Sequence, residues 1–331
     1  MKSTSFIGED QIVVTEADSP RPGPGEVRLK VSYCALCGSD KRLFHNGAKV
    51  TPGHELSGTV IECGEGVELA SDTRGVVYIA NYCGKCRFCK AGETNRCLNI
   101  SGLVGWQTPG GYAEELVVRA ANFVPLPDDI ADDEGVLLLD TIGTANYGIG
   151  MVAHRPQSAA SSGRALVLGC GPLGLGSLLT LQALGWKAVS AYDPAGWRLA
   201  QAESFGGVPI DIQDAELESS FSLVVEASGH HSSRNTALDV VEPGGAVLLL
   251  GENDQPWTVV ETPKLRRKDC FYVRSFYFPI GDLGKNAEIL RARRGDFKRM
   301  ISAVVPLKGL QGAFEQFCAG KTIKPLVRPN Q

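Results

Sequence analysis

Residues Gly169-Cys170-Gly171-Pro172-Leu173-Gly174 lie between the apolar run ALVLG and the helical run GLGSLLTLQALG. A G-x-G-x-x-G string alone marks little more than a turn. With a strand before it, a helix after it and an acid, Asp193, 19 residues beyond the last glycine, it predicts a dinucleotide-binding fold. The glycines let backbone N–H groups and the helix N-terminus approach a pyrophosphate, where the helix dipole favours negative charge. From Gly163 to about Gly251 the runs KAVSAYD, SLVVEAS and GGAVLLLG alternate with helical segments, the rhythm of a doubly wound parallel sheet covered on both faces. Asp193 would accept hydrogen bonds from ribose hydroxyls and repel a 2′-phosphate, which favours NAD over NADP. Arg198 could reach the same ribose or a phosphate on it, and the plainer reading of Asp193 is a turn residue of DPAG.

The preceding region is of a different kind. From Ile12 to about Val118 short β-rich runs, EVRLKVSY, SGTVIEC and GVVYIA, are punctuated by PRPGPGE, TPGHE and CGEGVE, which predicts a mainly β domain with tight turns. It contains Cys83, Cys86, Cys89 and Cys97 in the loop NYCGKCRFCKAGETNRC. The N-terminus MKSTSFIGEDQIVV has no apolar targeting core, and no stretch approaches the ~18 apolar residues that span a bilayer. The expectation is a cytoplasmic protein with no membrane partner, in which clustered cysteines point to metal rather than disulfides. A net charge of -4 gives no electrostatic reason to expect nucleic acid, and the basic run LRRKD reads as a solvated loop.

Cys37, in ALCGSD, follows a strand, and His54, in PGHE, follows a Pro-containing turn. A thiolate and an imidazole are good zinc ligands, and catalytic zinc usually has three protein ligands and an open position. CGSD, PGHELSG, the four-cysteine loop, GGYAEELVV, GCGPLG and the terminal FEQFCAGKTIKPLVRP follow one another as they do in the zinc-dependent medium-chain dehydrogenase/reductase family, which the chain resembles over nearly its whole length. The resemblance implies a β-rich GroES-like catalytic domain (residues 1–143, with a zinc lobe at about 81–100), a Rossmann domain (144–278) and a return to the catalytic domain (279–331).

It further implies a structural zinc on Cys83, Cys86, Cys89 and Cys97, with four thiolates leaving no place for substrate. A nucleic-acid-binding zinc ribbon and an iron–sulfur site are the rivals on ligand type. A second, catalytic zinc is implied on Cys37, His54 and a third ligand, for which Asp140 in LLLDTIG resembles the Asp-bearing pattern of formaldehyde and some cyclitol dehydrogenases; a helix N-cap is the alternative role for Asp140. Glu55 is the alternative fourth ligand, bound directly or held just outside the shell. Ser39 matches the position that receives the substrate proton, and Asp40 would fix His54 by accepting its other ring N–H. Where many relatives carry a relay histidine this chain has Arg42, which cannot shuttle protons and could contact the cofactor pyrophosphate. His45 reads as a surface residue. Phe44, Trp106 and Thr141 to Tyr147 are candidates for the pocket or for core. Gly169, Gly171, Pro172, Leu173, Gly174, Asp193 and Arg198 are the expected cofactor-binding residues. The expected activity is hydride transfer between NAD(H) and a secondary alcohol or ketone, a polyol, sugar or cyclitol, by a homodimer or homotetramer. The alternatives are an NADP-dependent aldehyde or ketone reductase and a catalytically silent binding protein.

Overall fold

The structure is a computed structural model and describes residues 1–152 and 163–331. Its strands run β1 (Lys2–Gly8), β2 (Gln11–Glu16), β3 (Glu26–Ala35), β4 (Glu55–Cys63), β5 (Arg74–Val77), β6 (Glu115–Arg119) and β7 (Phe123–Pro125). There follow β8 (Ala165–Leu168), β9 (Val189–Tyr192), β10 (Val208–Pro209), β11 (Phe221–Glu226), β12 (Val241–Leu249) and β13 (Phe271–Arg274), then β14 (Ala303–Pro306) and β15 (Pro325–Arg328). The chain divides into two units. One holds Met1–Leu139, Pro279–Gly281 and Lys298–Gln331, the other Asp140–Phe278 and Asp282–Phe297.

In the first unit β1 and β2 form a hairpin, and a sheet runs β14-β15-β3-β4-β5-β7 with β6 also on β3. The period-two alternation of EVRLKVSYCA buries Val27, Leu29 and Val31 on one face of β3, as the pleat requires. Beneath it Phe6 stacks on Tyr112 at 5.8 Å, with Phe314 edge-on to both. Register decides what meets at the end of β3: Ala35 lies opposite Glu55 of β4 on one side and Leu326 of β15 on the other. The residue before Pro325 is thereby carried beside the start of β4.

The second unit is a parallel sheet in the order β10-β9-β8-β11-β12-β13. All four residues of β8 and all six of β11 are buried, as two-sided burial in a parallel sheet demands. The chain winds outward from β8 through β9 to β10, then returns to build β11, β12 and β13 on the other side. The order reverses between β8 and β11, and the crevice beyond their C-terminal ends is where such sheets bind ligands.

The units differ from the domain limits expected from sequence. They part at Leu139/Asp140 rather than after residue 143, and the helix Leu283–Ala292 belongs with the second unit. Its Leu283, Ala287 and Leu290 are buried, and Asn286 accepts a hydrogen bond from Asn146 at 3.0 Å. A buried apolar face with an amide pair holds this segment where its position in the chain suggested a return to the first domain.

Candidate metal centre and cofactor turn

Three side chains of the first unit converge where β3 ends and β4 begins. Cys37 follows β3 and caps the turn Gly38–Asp40, His54 precedes β4, and Glu55 is its first residue. Asp140 opens a wide helical turn, Asp140–Thr144, and accepts a hydrogen bond from the Thr144 hydroxyl at 2.5 Å. It is the first residue of that turn rather than the N-cap of an ordinary helix. One ligand atom from each of Cys37, His54 and Glu55 lies within 4.8 Å of the other two. Sulfur, nitrogen and carboxylate oxygen around one point suit zinc, whose bonds to such donors are about 2.0–2.3 Å long.

His54 and Glu55 are buried, and each has a partner of opposite charge. The Lys324 ammonium donates to Glu55 Oε1 at 2.5 Å, both side chains being essentially inaccessible to solvent. His54 Nδ1 lies 3.1 Å from Asp40 Oδ1, within ion-pair reach though away from straight hydrogen-bond geometry. Burial pulls the imidazole pKa down, but the charges of Asp40 and Cys37 outweigh it and hold the group well above its ordinary value. The same negative groups would favour a cation held at this point.

Asp40 does more than face the histidine. Its Oδ2 accepts from the Cys37 N–H at 3.2 Å and from the Tyr112 hydroxyl at 3.0 Å. Burial and the charge of Asp40 keep that phenol well above its usual pKa, so it remains a donor. Neither Lys324 nor Tyr112 was singled out from sequence. Their signals were present but silent: a lysine just before the final strand and the tyrosine of GGYAEE.

The other expected residues of the first unit separate into site and core. Ser39 is half-buried in the turn between Cys37 and Asp40. The Arg42 guanidinium carbon lies 4.4 Å from the centroid of the Trp106 ring, which is itself 6.1 Å from that of His54. Phe44 is 2% exposed and packs against Phe6 and Phe314, so it is core rather than pocket. His45 is exposed, 3.4 Å from Asp10.

In the cysteine loop the Sγ atoms of Cys83 and Cys89, of Cys86 and Cys89, and of Cys86 and Cys97 are 4.0, 3.5 and 4.0 Å apart. Disulfide sulfurs are about 2 Å apart, whereas the edges of a tetrahedral zinc–thiolate shell with ~2.3 Å bonds are about 3.8 Å. Amides point at the sulfurs: Cys86 N–H at Cys83, and those of Cys83 and Asn99 at Cys97, at 3.2–3.3 Å. Backbone donors bring the Cys83 thiol down to about 6, while burial and neighbouring thiols push Cys89 up to about 12.

In the second unit Gly169 has φ +92°, a conformation open to glycine at little cost. A side chain on Gly174 would put its Cβ 1.7 Å from the Gly169 carbonyl oxygen, whereas one on Gly171 would meet only open space. The turn therefore packs closely on its inner side and is open on the outer, the side from which a phosphate could approach. Pro172 and Leu173 begin the helix Pro172–Ala183, with Gly171 as its N-cap. Asp193 follows β9, but its oxygens already accept from Cys170 N–H and Ala195 N–H, each at 2.8 Å. The turn-residue reading of Asp193 is thus realised; each oxygen keeps further acceptor capacity. Arg198 stacks on Trp197 at 5.5 Å.

Comparison with known proteins agrees with this architecture. Residues 23–128 match the alcohol dehydrogenase GroES-like domain. Over 96% of this chain and 95% of the relative, the sequence is 30% identical to an L-threonine 3-dehydrogenase of Coxiella burnetii. A sorbitol dehydrogenase of Halalkalibacterium halodurans is 26% identical over 97% of each chain. The structure matches that of an alcohol dehydrogenase from Thermus sp. ATN1 with a TM-score of 0.88 and 27% identity, covering 99% of this chain and 100% of that one. A β-rich domain and a parallel dinucleotide-type sheet, with sequence likeness running end to end, make this chain a member of the zinc-dependent medium-chain dehydrogenase/reductase family of alcohol and polyol dehydrogenases.

Proposed function

We propose that this dehydrogenase is zinc- and NAD-dependent and moves a hydride between NAD(H) and a secondary alcohol or ketone of a polar substrate, a polyol, sugar or cyclitol. The observation that carries the reading is the convergence of Cys37, His54 and Glu55 within 4.8 Å, with Asp140 as the third ligand that the family resemblance implies. When bound on Cys37, His54 and Asp140, zinc supplies Lewis-acid activation of the substrate oxygen, and NAD on the Gly169–Gly174 turn supplies the hydride acceptor. Asp40 faces Nδ1 of His54 and leaves Nε2 as the donor atom. Lys324 offsets the charge of Glu55, which keeps that carboxylate in reserve rather than a permanent ligand. Ser39 receives the hydroxyl proton. Arg42 stays charged and passes no proton onward; it sits against Trp106 at the edge of the site. The named threonine and sorbitol relatives support a polar hydroxy substrate.

Metal analysis should find two zinc ions per chain, one in the four-cysteine lobe. Absorbance at 340 nm with NAD and a panel of polyols should rise for at least one secondary alcohol. Silence across the panel in zinc-replete protein would favour a binding role. Cys37→Ser and His54→Ala should each abolish turnover and leave the protein folded by circular dichroism; loss of folding would mean that the site is structural.

A second reading has one observation behind it. The oxygens of Asp193 are engaged by backbone amides and Arg198 stands on the next helix, which would suit an NADP-dependent reductase. Dissociation constants for the two cofactors separate the cases, and NAD should bind the tighter.

A further inference from the structure

Asp40 touches two of the proposed ligand residues, the backbone N–H of Cys37 at 3.2 Å and the ring of His54 at 3.1 Å. It is wholly buried, so its orientation is set by its partners and not by water. The Tyr112 hydroxyl reaches Asp40 Oδ2 at 3.0 Å and the Ala35 carbonyl at 3.2 Å. A phenol has one proton to give, and hydrogen bonds to a carboxylate are roughly twice as strong as those between neutral groups. The shorter contact to Asp40 therefore takes the proton. The ring cannot easily turn away, because it is buried between Phe6, stacked at 5.8 Å, and Phe314, edge-on at 5.8 Å.

We propose that Tyr112 is a positioning residue of the metal centre: its hydroxyl pins Asp40, and through Asp40 both Cys37 and His54, so that the ligand shell is held ready for zinc. This rests on the metal site proposed above. The Tyr112 hydroxyl acts through Asp40, its carboxylate partner. Its effect is on how long the ion stays. Partners just outside a metal's ligands change affinity by about 10- to 100-fold, and a group one step further out should change it by less, about 3- to 10-fold.

The test follows zinc release from the intact, zinc-loaded protein into a colorimetric chelator. Tyr112→Phe keeps the aromatic packing and deletes only the hydroxyl. Thr4→Val is the control: it removes another buried hydrogen bond, from the Thr4 hydroxyl to the Tyr112 carbonyl at 2.9 Å, without touching Asp40. Release of the catalytic zinc should be about 3- to 10-fold faster in Tyr112→Phe, unchanged in Thr4→Val, and no faster in Asp40→Asn/Tyr112→Phe than in Asp40→Asn alone. The visible bands of the cobalt-substituted protein should shift in Tyr112→Phe and not in Thr4→Val. Unaltered release and bands in Tyr112→Phe, equal acceleration in Thr4→Val, or full additivity with Asp40→Asn would each overturn the proposal. A wild-type protein that carries zinc only in the four-cysteine lobe would overturn the metal site first and this inference with it, a result distinct from two zinc ions released at equal rates.

Discussion

Lys324 and Glu55 are a buried ion pair 269 residues apart in the chain, and removing one partner of such a pair strands the other charge. Lys324→Met should therefore cost about 3–5 kcal/mol of stability, read as a lower urea midpoint at unchanged slope, while Lys324→Arg should lose much less. Cys170 behaves differently because its partner is of like sign. Burial, and then the charge of Asp193, push its thiol up to about 12. A raised acid pKa means the folded state holds its proton more tightly than the unfolded chain does. The contribution is intact below about pH 9 and is lost as pH rises toward 12. Native Cys170 should accordingly resist iodoacetamide at pH 8 and react once the chain is unfolded, which mass spectrometry of the modified peptide would report. At this scale sequence was a partial guide. Cys37 and His54 carry distinctive chemistry and neighbours, so they were legible. Lys324 and Tyr112 are common residue types whose importance comes only from the register that places Leu326 and Glu55 on either side of Ala35.

Two short elements carry the most sequence information and the least tolerance. The strand–turn–helix from β8 into Pro172–Ala183 was readable because its glycines answer to local geometry. Gly174→Ala would drive a Cβ to 1.7 Å from the Gly169 carbonyl. The overpacking should cost at least about 1–3 kcal/mol and weaken NAD binding, measurable by calorimetry. The cysteine loop was equally readable from spacing. Its only regular structure is the single-turn helix Arg87–Lys90 and the turn Thr94–Arg96, too little to hold its shape by packing. Cys97→Ser should raise hydrogen exchange across 83–99 and leave β8 to β12 protected. What sequence could not supply was the fate of Asp193, whose oxygens turn onto neighbouring amides, or the allegiance of Leu283–Ala292, decided by Asn286 meeting Asn146. Both depend on contacts between segments distant in the chain, which no local pattern encodes.

At the scale of the molecule the parallel sheet ends abruptly. Among the described residues β13 pairs only with β12, and Tyr272 and Phe276 beside it are 42% and 47% exposed. An open, partly apolar edge of this kind invites a further strand, which supports the homo-oligomer proposed from the family resemblance. Tyr272→Lys, which places a charge on this edge, should reduce the mass seen by light scattering to that of a single chain while cofactor binding survives.

The first sheet joins strands far apart in the chain: β3 and β4 precede the parallel sheet, whereas β14 and β15 follow it. During synthesis the ribosome would release β8 to β13 complete before β15 had emerged. The parallel-sheet half should then be able to fold on the nascent chain, whereas Lys324 and its strand reach Glu55 only afterwards. Any ion held beside Glu55 would accordingly find its pocket complete only after the parallel sheet has been made.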